Sequence, residues 1–168
     1  MNRAEISKIT KSKTNILIIE DLGMQKYNLK KSLEEYIEFN IIDAVNNINS
    51  AFYKIAISEP EVIIVNSTCL DEHGIENLYK IREFSPYSKI IIMAKSYSKN
   101  EILELIATGV NAFCLTSISK NAFSLIIKAV VNEERWFDPV IVPLLLSSIF
   151  KFKGNIIDES MKVSSFAS

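Results

Sequence analysis

The feature that most constrains this chain is the run Val62-Ile63-Ile64-Val65, set between Pro60 and Asn66. It has no polar alternation, so it reads as a strand buried on both faces, as in a parallel sheet with helices above and below. After Asn66 the chain turns polar and opens into a loop through Asp71, Glu72 and His73 that Gly74 closes. Open α/β sheets place their ligand crevice at the carboxyl ends of such strands. Asn66 stands at that end, so function turns on what its side chain can do.

The same alternation repeats along the chain. Asn15–Ile19 reads as a strand ending in Glu20-Asp21, and Gly23 then punctuates before a helical pattern over Met24–Ile37. Phe39–Val45 reads as a second strand, and Ala51–Ser58 as a helix stopped before Pro60. Beyond the third strand come a helix over Gly74–Phe84 and a strand over Lys89–Met93. A helix capped by Ser98 or Asn100 then runs to Thr108, where Gly109 ends it. Val110–Leu115 and Ser119–Asn132 complete the series as strand and helix. Five strand–helix alternations with short connections predict an α/β three-layer sandwich on a five-stranded parallel sheet. Right-handed crossovers narrow this to a flavodoxin-like, doubly wound topology.

The chain of 168 residues suits one such domain (residues 15–132) with appendages. Residues 1–14 form an N-terminal arm bearing Arg3, Lys8, Lys11 and Lys13, read as solvated rather than phosphate-binding. Residues 133–152 are expected to form a linker and an extra C-terminal apolar helix, and 153–168 are expected to form a polar, disordered tail. In the linker region Asp138 is a good N-cap and Pro139 a good first helical residue. Val140 to Phe150 is apolar around nearly the whole helix, so part of it needs a cover. Ile141, Leu144, Leu145, Ile149 and Phe150 are the candidate interface, with a twofold homodimer preferred over intramolecular docking.

Composition excludes several function classes. Net charge is −1, which favours no nucleic-acid partner. No apolar run is long enough to span a bilayer and no signal-peptide pattern opens the chain, so a cytoplasmic setting is expected. Cys69 and Cys114 lie in no metal or disulfide spacing. With only Gly23, Gly74, Gly109 and Gly154, neither a dinucleotide fingerprint nor a P-loop exists. With His73 the single histidine, no nucleophile–base system is persuasive, and His73 reads as a solvated loop residue. The chain is not expected to be an enzyme.

From Thr14 to Asn132 these motifs resemble the receiver (CheY-like) domain of bacterial two-component response regulators: the acidic pair Glu20-Asp21, the stretch Val62–Gly74, and Gly109-Val110-Asn111-Ala112-Phe113. The continuation Asn132–Pro139 resembles the linker of the NarL/FixJ-like subfamily, which leads there to a helix-turn-helix output domain. In that family an aspartate ending strand three accepts a phosphoryl group from a histidine kinase, with magnesium held by it and the acidic pair. A Thr or Ser after strand four and a Lys after strand five bind the phosphoryl oxygens.

Eight residues before Gly74, the acceptor position falls on Asn66. The Thr/Ser position falls on Ala94, the Lys position on Thr116, and the aromatic switch position on Phe113. An amide is no nucleophile comparable to a carboxylate. Lys95 offers either an ammonium folded onto Glu20 and Asp21 in place of the metal, or a side chain in solvent. The resemblance thus implies a degenerate receiver without cofactor, holding magnesium at Glu20 and Asp21 weakly at most. It would act as a phosphorylation-independent signalling module through protein partners such as a kinase or another regulator. The alternatives are a switch run by another ligand, and a transcription regulator whose DNA-binding output is absent or supplied in trans. No room for a helix-turn-helix is seen after the linker.

Overall fold

Every side chain from Val62 to Asn66 is buried, and the strand they form is flanked on both edges by parallel partners. A computed structural model describes residues 12–21, 28–70 and 73–147. Its strands are β1 (Thr14–Ile19), β2 (Phe39–Val45), β3 (Val62–Asn66), β4 (Lys89–Ala94), β5 (Ala112–Leu115) and β6 (Trp136–Phe137). They lie in the order β2-β1-β3-β4-β5-β6, all parallel. The helices are α1 (Leu29–Glu34), α2 (Ile48–Ser58), α3 (Gly74–Phe84), α4 (Lys99–Ala107) and α5 (Lys120–Val131).

Two cores follow from the pleat. Leu17, Ile19, Ile63, Val65, Ile90, Ile92 and Phe113 face α2, α3 and α4, whose Ile55, Ile81 and Ile102 complete that layer. Ile16, Ile18, Ile64, Ile91, Met93 and Cys114 face α1 and α5, meeting Leu33, Phe123 and Ile127. Each fully buried Ile, Leu or Phe contributes roughly 1.5–3 kcal/mol. The expected three-layer sandwich with flavodoxin-like winding is therefore present.

Local signals set the helix starts. Asn47, Ser98 and Ser119 each accept a backbone N–H with the side chain, and Ser98 with Glu101 forms a reciprocal capping box. Gly109 closes α4 at φ +76°, a left-handed conformation suited to glycine.

The sheet has six strands rather than five. After α5 the chain turns at Asn132-Glu133 and lays Trp136 and Phe137 beside Ala112 and Phe113. The Trp136 N–H donates to the Asn111 carbonyl (3.1 Å) and the Asp138 N–H to that of Phe113 (3.1 Å). Asp138 Oδ1 then accepts the Val140 N–H at 3.0 Å, as its capping role requires, and residues 142–147 are helical.

That path corrects the expected interface. Ile141 is 1% exposed and belongs to the core under α2, α3 and α4; Leu144 and Leu145 pack against the same cluster. β6 delivers the segment to its own domain, so this face docks intramolecularly. Val140, Val142 and Leu146 are the exposed side. The candidate interface residues Ile149 and Phe150 lie outside the described residues, as do the arm over 1–11, Gly23, the expected helix start at Met24, Asp71-Glu72 and the tail over 153–168.

Candidate functional site

Sheet order reverses between β1 and β3, and there the strand ends splay into a crevice. Glu20 follows β1 and Asn66 ends β3. With Thr116 and Lys120 they line a cavity of about 40 Å³, walled by Leu33, Met93 and Phe123. That space suits roughly one water.

Asn66 is buried, and its amide oxygen accepts the Thr68 N–H (3.2 Å) and the Thr68 hydroxyl (3.0 Å). It thereby caps the short 3₁₀ turn Ser67–Cys69. Glu20 is 3% exposed, and its Oε1 has no hydrogen-bond partner among the described residues. Burial pushes its carboxyl above the usual range, with the Lys30 backbone N–H opposing in part. Asp21 beside it is half-buried. The Lys120 ammonium pairs with Glu35 and lies 5.6 Å from the centre of the Tyr36 ring.

Ala94 ends β4 paired with Leu115, and the Thr116 N–H donates to the Ala94 carbonyl at 2.9 Å. Thr116 lines the Glu20–Asn66 cavity, whereas Ala94 lines a neighbouring groove of about 220 Å³ with Ser67, Tyr97 and Glu101. Ala94, Asn66 and Thr116 thus stand at three adjacent strand ends, as the sequence placed them.

Three comparisons place this geometry. No family model matches the chain. It is 24% identical over 134 residues to the nitrate/nitrite response regulator protein homolog of Haemophilus influenzae, covering 80% of this chain and 64% of that one. It is 19% identical over 123 residues to response regulator protein VraR of Staphylococcus saprophyticus, covering 73% and 59%. The chain therefore spans less than two thirds of these curated relatives. In structure it superposes on a two-component response regulator of the LuxR family from Aurantimonas with a TM-score of 0.73 at 16% identity, covering 83% of this chain and 99% of that one. The chain has the receiver fold of response regulators.

Within this fold Phe113 is fully buried. Its ring stacks on Phe137 (5.3 Å between centres, 23° between planes) and meets Tyr97 edge-on at 5.9 Å. The Tyr97 hydroxyl lies 3.0 Å from the Ile92 carbonyl oxygen and 3.1 Å from that of Cys114, and shares its one proton between β4 and β5. Burial pushes both the Tyr97 phenol and the Cys114 thiol up, so both stay neutral. Sequence reasoning missed Tyr97 because nothing in Ser96-Tyr97-Ser98 is periodic. It also passed over Lys120, a first helical residue with no motif around it.

The Lys95 pairing does not form. Lys95 is exposed, and no ion pair among the described residues joins it to Glu20 or Asp21. The segment after β4 commits Tyr97 inward and leaves Lys95 in solvent. His73 is exposed on its loop, 3.7 Å from Glu76.

The resemblance implies magnesium beside Glu20 and Asp21, but the donor chemistry does not fit. A hard cation takes six or more oxygens, preferably anionic. Here the Asn66 oxygen is engaged by Thr68, and burial raises the Glu20 carboxyl pKa, which weakens it as an anionic donor. Among the described residues no group of three or more His, Cys, Asp or Glu side chains converges.

Proposed function

We propose that this chain is a receiver-type module of two-component signalling that works without aspartyl phosphorylation, through contact with a protein partner. The observation that carries this reading is the amide at the end of β3, whose oxygen caps the turn through Thr68. An acyl phosphate needs a carboxylate nucleophile, which Asn66 does not supply. Ala94 has no hydroxyl to donate to a phosphoryl oxygen, and Thr116 no charge to offset one. Lys120, which lines the cavity, has its ammonium paired with Glu35. Three parts of the phosphorylation chemistry are thus replaced at once.

A cavity of about 40 Å³ also disfavours a switch run by a larger ligand at this position. Contact with partners falls instead to outer faces, including the exposed side of the terminal segment at Val140, Val142 and Leu146. Pairing of two copies through that side is the homodimer form of this reading, which light scattering at micromolar concentration checks.

Titration of the isotope-labelled protein with beryllofluoride and magnesium tests the function. The proposal expects the amides of Asn66, Phe113 and Thr116 to stay in place. Saturable shifts at all three would instead show a working phosphoryl pocket.

A further inference from the structure

The opposite end of the sheet carries an open groove of about 540 Å³, unrelated to the Glu20–Asn66 crevice. It lies between the α2–β3 turn, the α3–β4 turn and the residues after α5. A volume of this size accommodates several side chains. Its wall is apolar and open to solvent: Phe84 is 64% exposed and Tyr87 91%, with Pro86 between them. Scattered exposed apolar residues are ordinary, but aromatics gathered on one groove mark a surface meant to be covered.

The groove is already braced. The Arg82 guanidinium donates to the carbonyl oxygens of Pro86 (3.2 Å), Ser88 (2.6 Å) and Gly109 (3.0 Å), and the buried Ser88 hydroxyl donates to that of Pro60. Phe84 is backed by the Phe52 ring at 5.7 Å. A fixed wall loses little freedom when covered.

The rim is anionic. Glu59, Glu61 and Glu133 line the groove against one ammonium, Lys89, which pairs with Glu133. Glu59 (φ 43°) and Glu133 (φ 67°) both have left-handed backbones, where glycine or asparagine is the unstrained choice. Arg82 is turned onto carbonyls beneath the loop.

The chemistry that fits is a short cationic segment with apolar side chains, and the chain supplies one. Residues 1–11 hold Arg3, Lys8 and Lys11 against a single Glu5, with Ile6 and Ile9 between. They join the described residues at Ser12-Lys13, at the same end of the sheet as the groove. There the Asn15 N–H donates to Glu61 Oε1 (3.2 Å), and the Glu61 N–H to the Asn15 carbonyl (2.9 Å). β3 separates β1 from β4, so the groove's centre is about 10 Å from the start of β1 at ~4.8 Å per strand. Eleven residues reach roughly 35 Å when extended. The tether holds the segment at an effective concentration of the order of millimolar, so weak contacts suffice.

We propose that this groove is the docking site of the chain's own residues 1–11, their cations on the glutamate rim and their isoleucines on Phe84 and Tyr87. The segment competes there with any partner that carries the same cationic and apolar pattern.

The test compares amide spectra of the labelled full chain with the full chain carrying Arg3→Glu, Lys8→Glu and Lys11→Glu. The amides of Glu59, Glu61, Phe84, Tyr87, Ser88 and Glu133 are expected to shift, while those of Asn66 and Thr116 hold. Salt at about 0.5 M should move wild type toward the variant, since exposed charges are then screened within a few ångströms. A second variant, Glu59→Lys with Glu133→Lys, should release the amides of residues 3–11. Unchanged groove amides in the first variant would overturn the proposal. So would a doubled mass by light scattering that the triple substitution abolishes, which would give the groove to a second copy.

Discussion

Glu20 carries a burial cost: its carboxyl is nearly free of solvent, with one oxygen unpartnered among the described residues. A buried unsatisfied acceptor costs about 1–3 kcal/mol. Because burial raises its folded pKa, the cost is full at neutral pH and vanishes once both folded and unfolded forms are protonated. Stability from this group therefore falls as pH rises through the raised folded value. Glu20→Gln should stabilise the fold by about 1 kcal/mol at pH 7, with the gain fading below the usual carboxylate range. Urea denaturation at the two pH values measures it; an unchanged midpoint at pH 7 would mean the carboxylate is satisfied in solution. Gly74 gives a second case, since a Cβ there would sit 2.8 Å from Leu70 Cβ. Both atoms belong to stiff parts of the chain, so Gly74→Ala should cost about 1–3 kcal/mol by overpacking, read as a lowered melting temperature.

At the scale of elements, Phe39–Val45 and Gly74–Phe84 are found where the sequence placed them, because their apolar spacing or flanking glycine and proline bound them on both sides. Ser119 caps α5 as its hydroxyl and the following stripe of Phe123, Ile126, Ile127 and Val130 require. β6 was illegible for the opposite reason. Two residues carry no period, and what makes Trp136-Phe137 a strand is the open edge of β5 and the Phe113 ring waiting there. Missing that edge made the terminal apolar segment look unpartnered, and so made Ile141 look like an interface. The placement of Asn66, Ala94 and Thr116 was legible because each directly ends or follows an apolar strand. The surroundings of Phe113 were not, since Tyr97 reaches it from a loop. Ile141→Ala should destabilise the domain by about 2–5 kcal/mol, followed by urea denaturation with the mass checked in parallel. A neutral result would show that the terminal segment does not dock on its own core. Tyr97→Phe should cost about 1 kcal/mol through its lost hydroxyl, visible as faster amide exchange where β4 meets β5.

For the whole molecule, a net charge of −1 is spread unevenly: one carboxyl group, Glu20, lines the strand-end crevice, and three, Glu59, Glu61 and Glu133, line the opposite groove. The two sites lie at opposite ends of the parallel sheet. No helix among the described residues is long and apolar enough to cross a membrane. Receiver folds serve many outputs, so the chemistry at the strand ends decides what this one does. The crevice keeps the receiver shape around an amide, and under the proposed function that amide takes no phosphoryl group. Intact-mass measurement after incubation with acetyl phosphate and magnesium tests it most directly. The unmodified mass is expected throughout; a species heavier by one phosphoryl group, lost on mild base treatment, would overturn the proposed function.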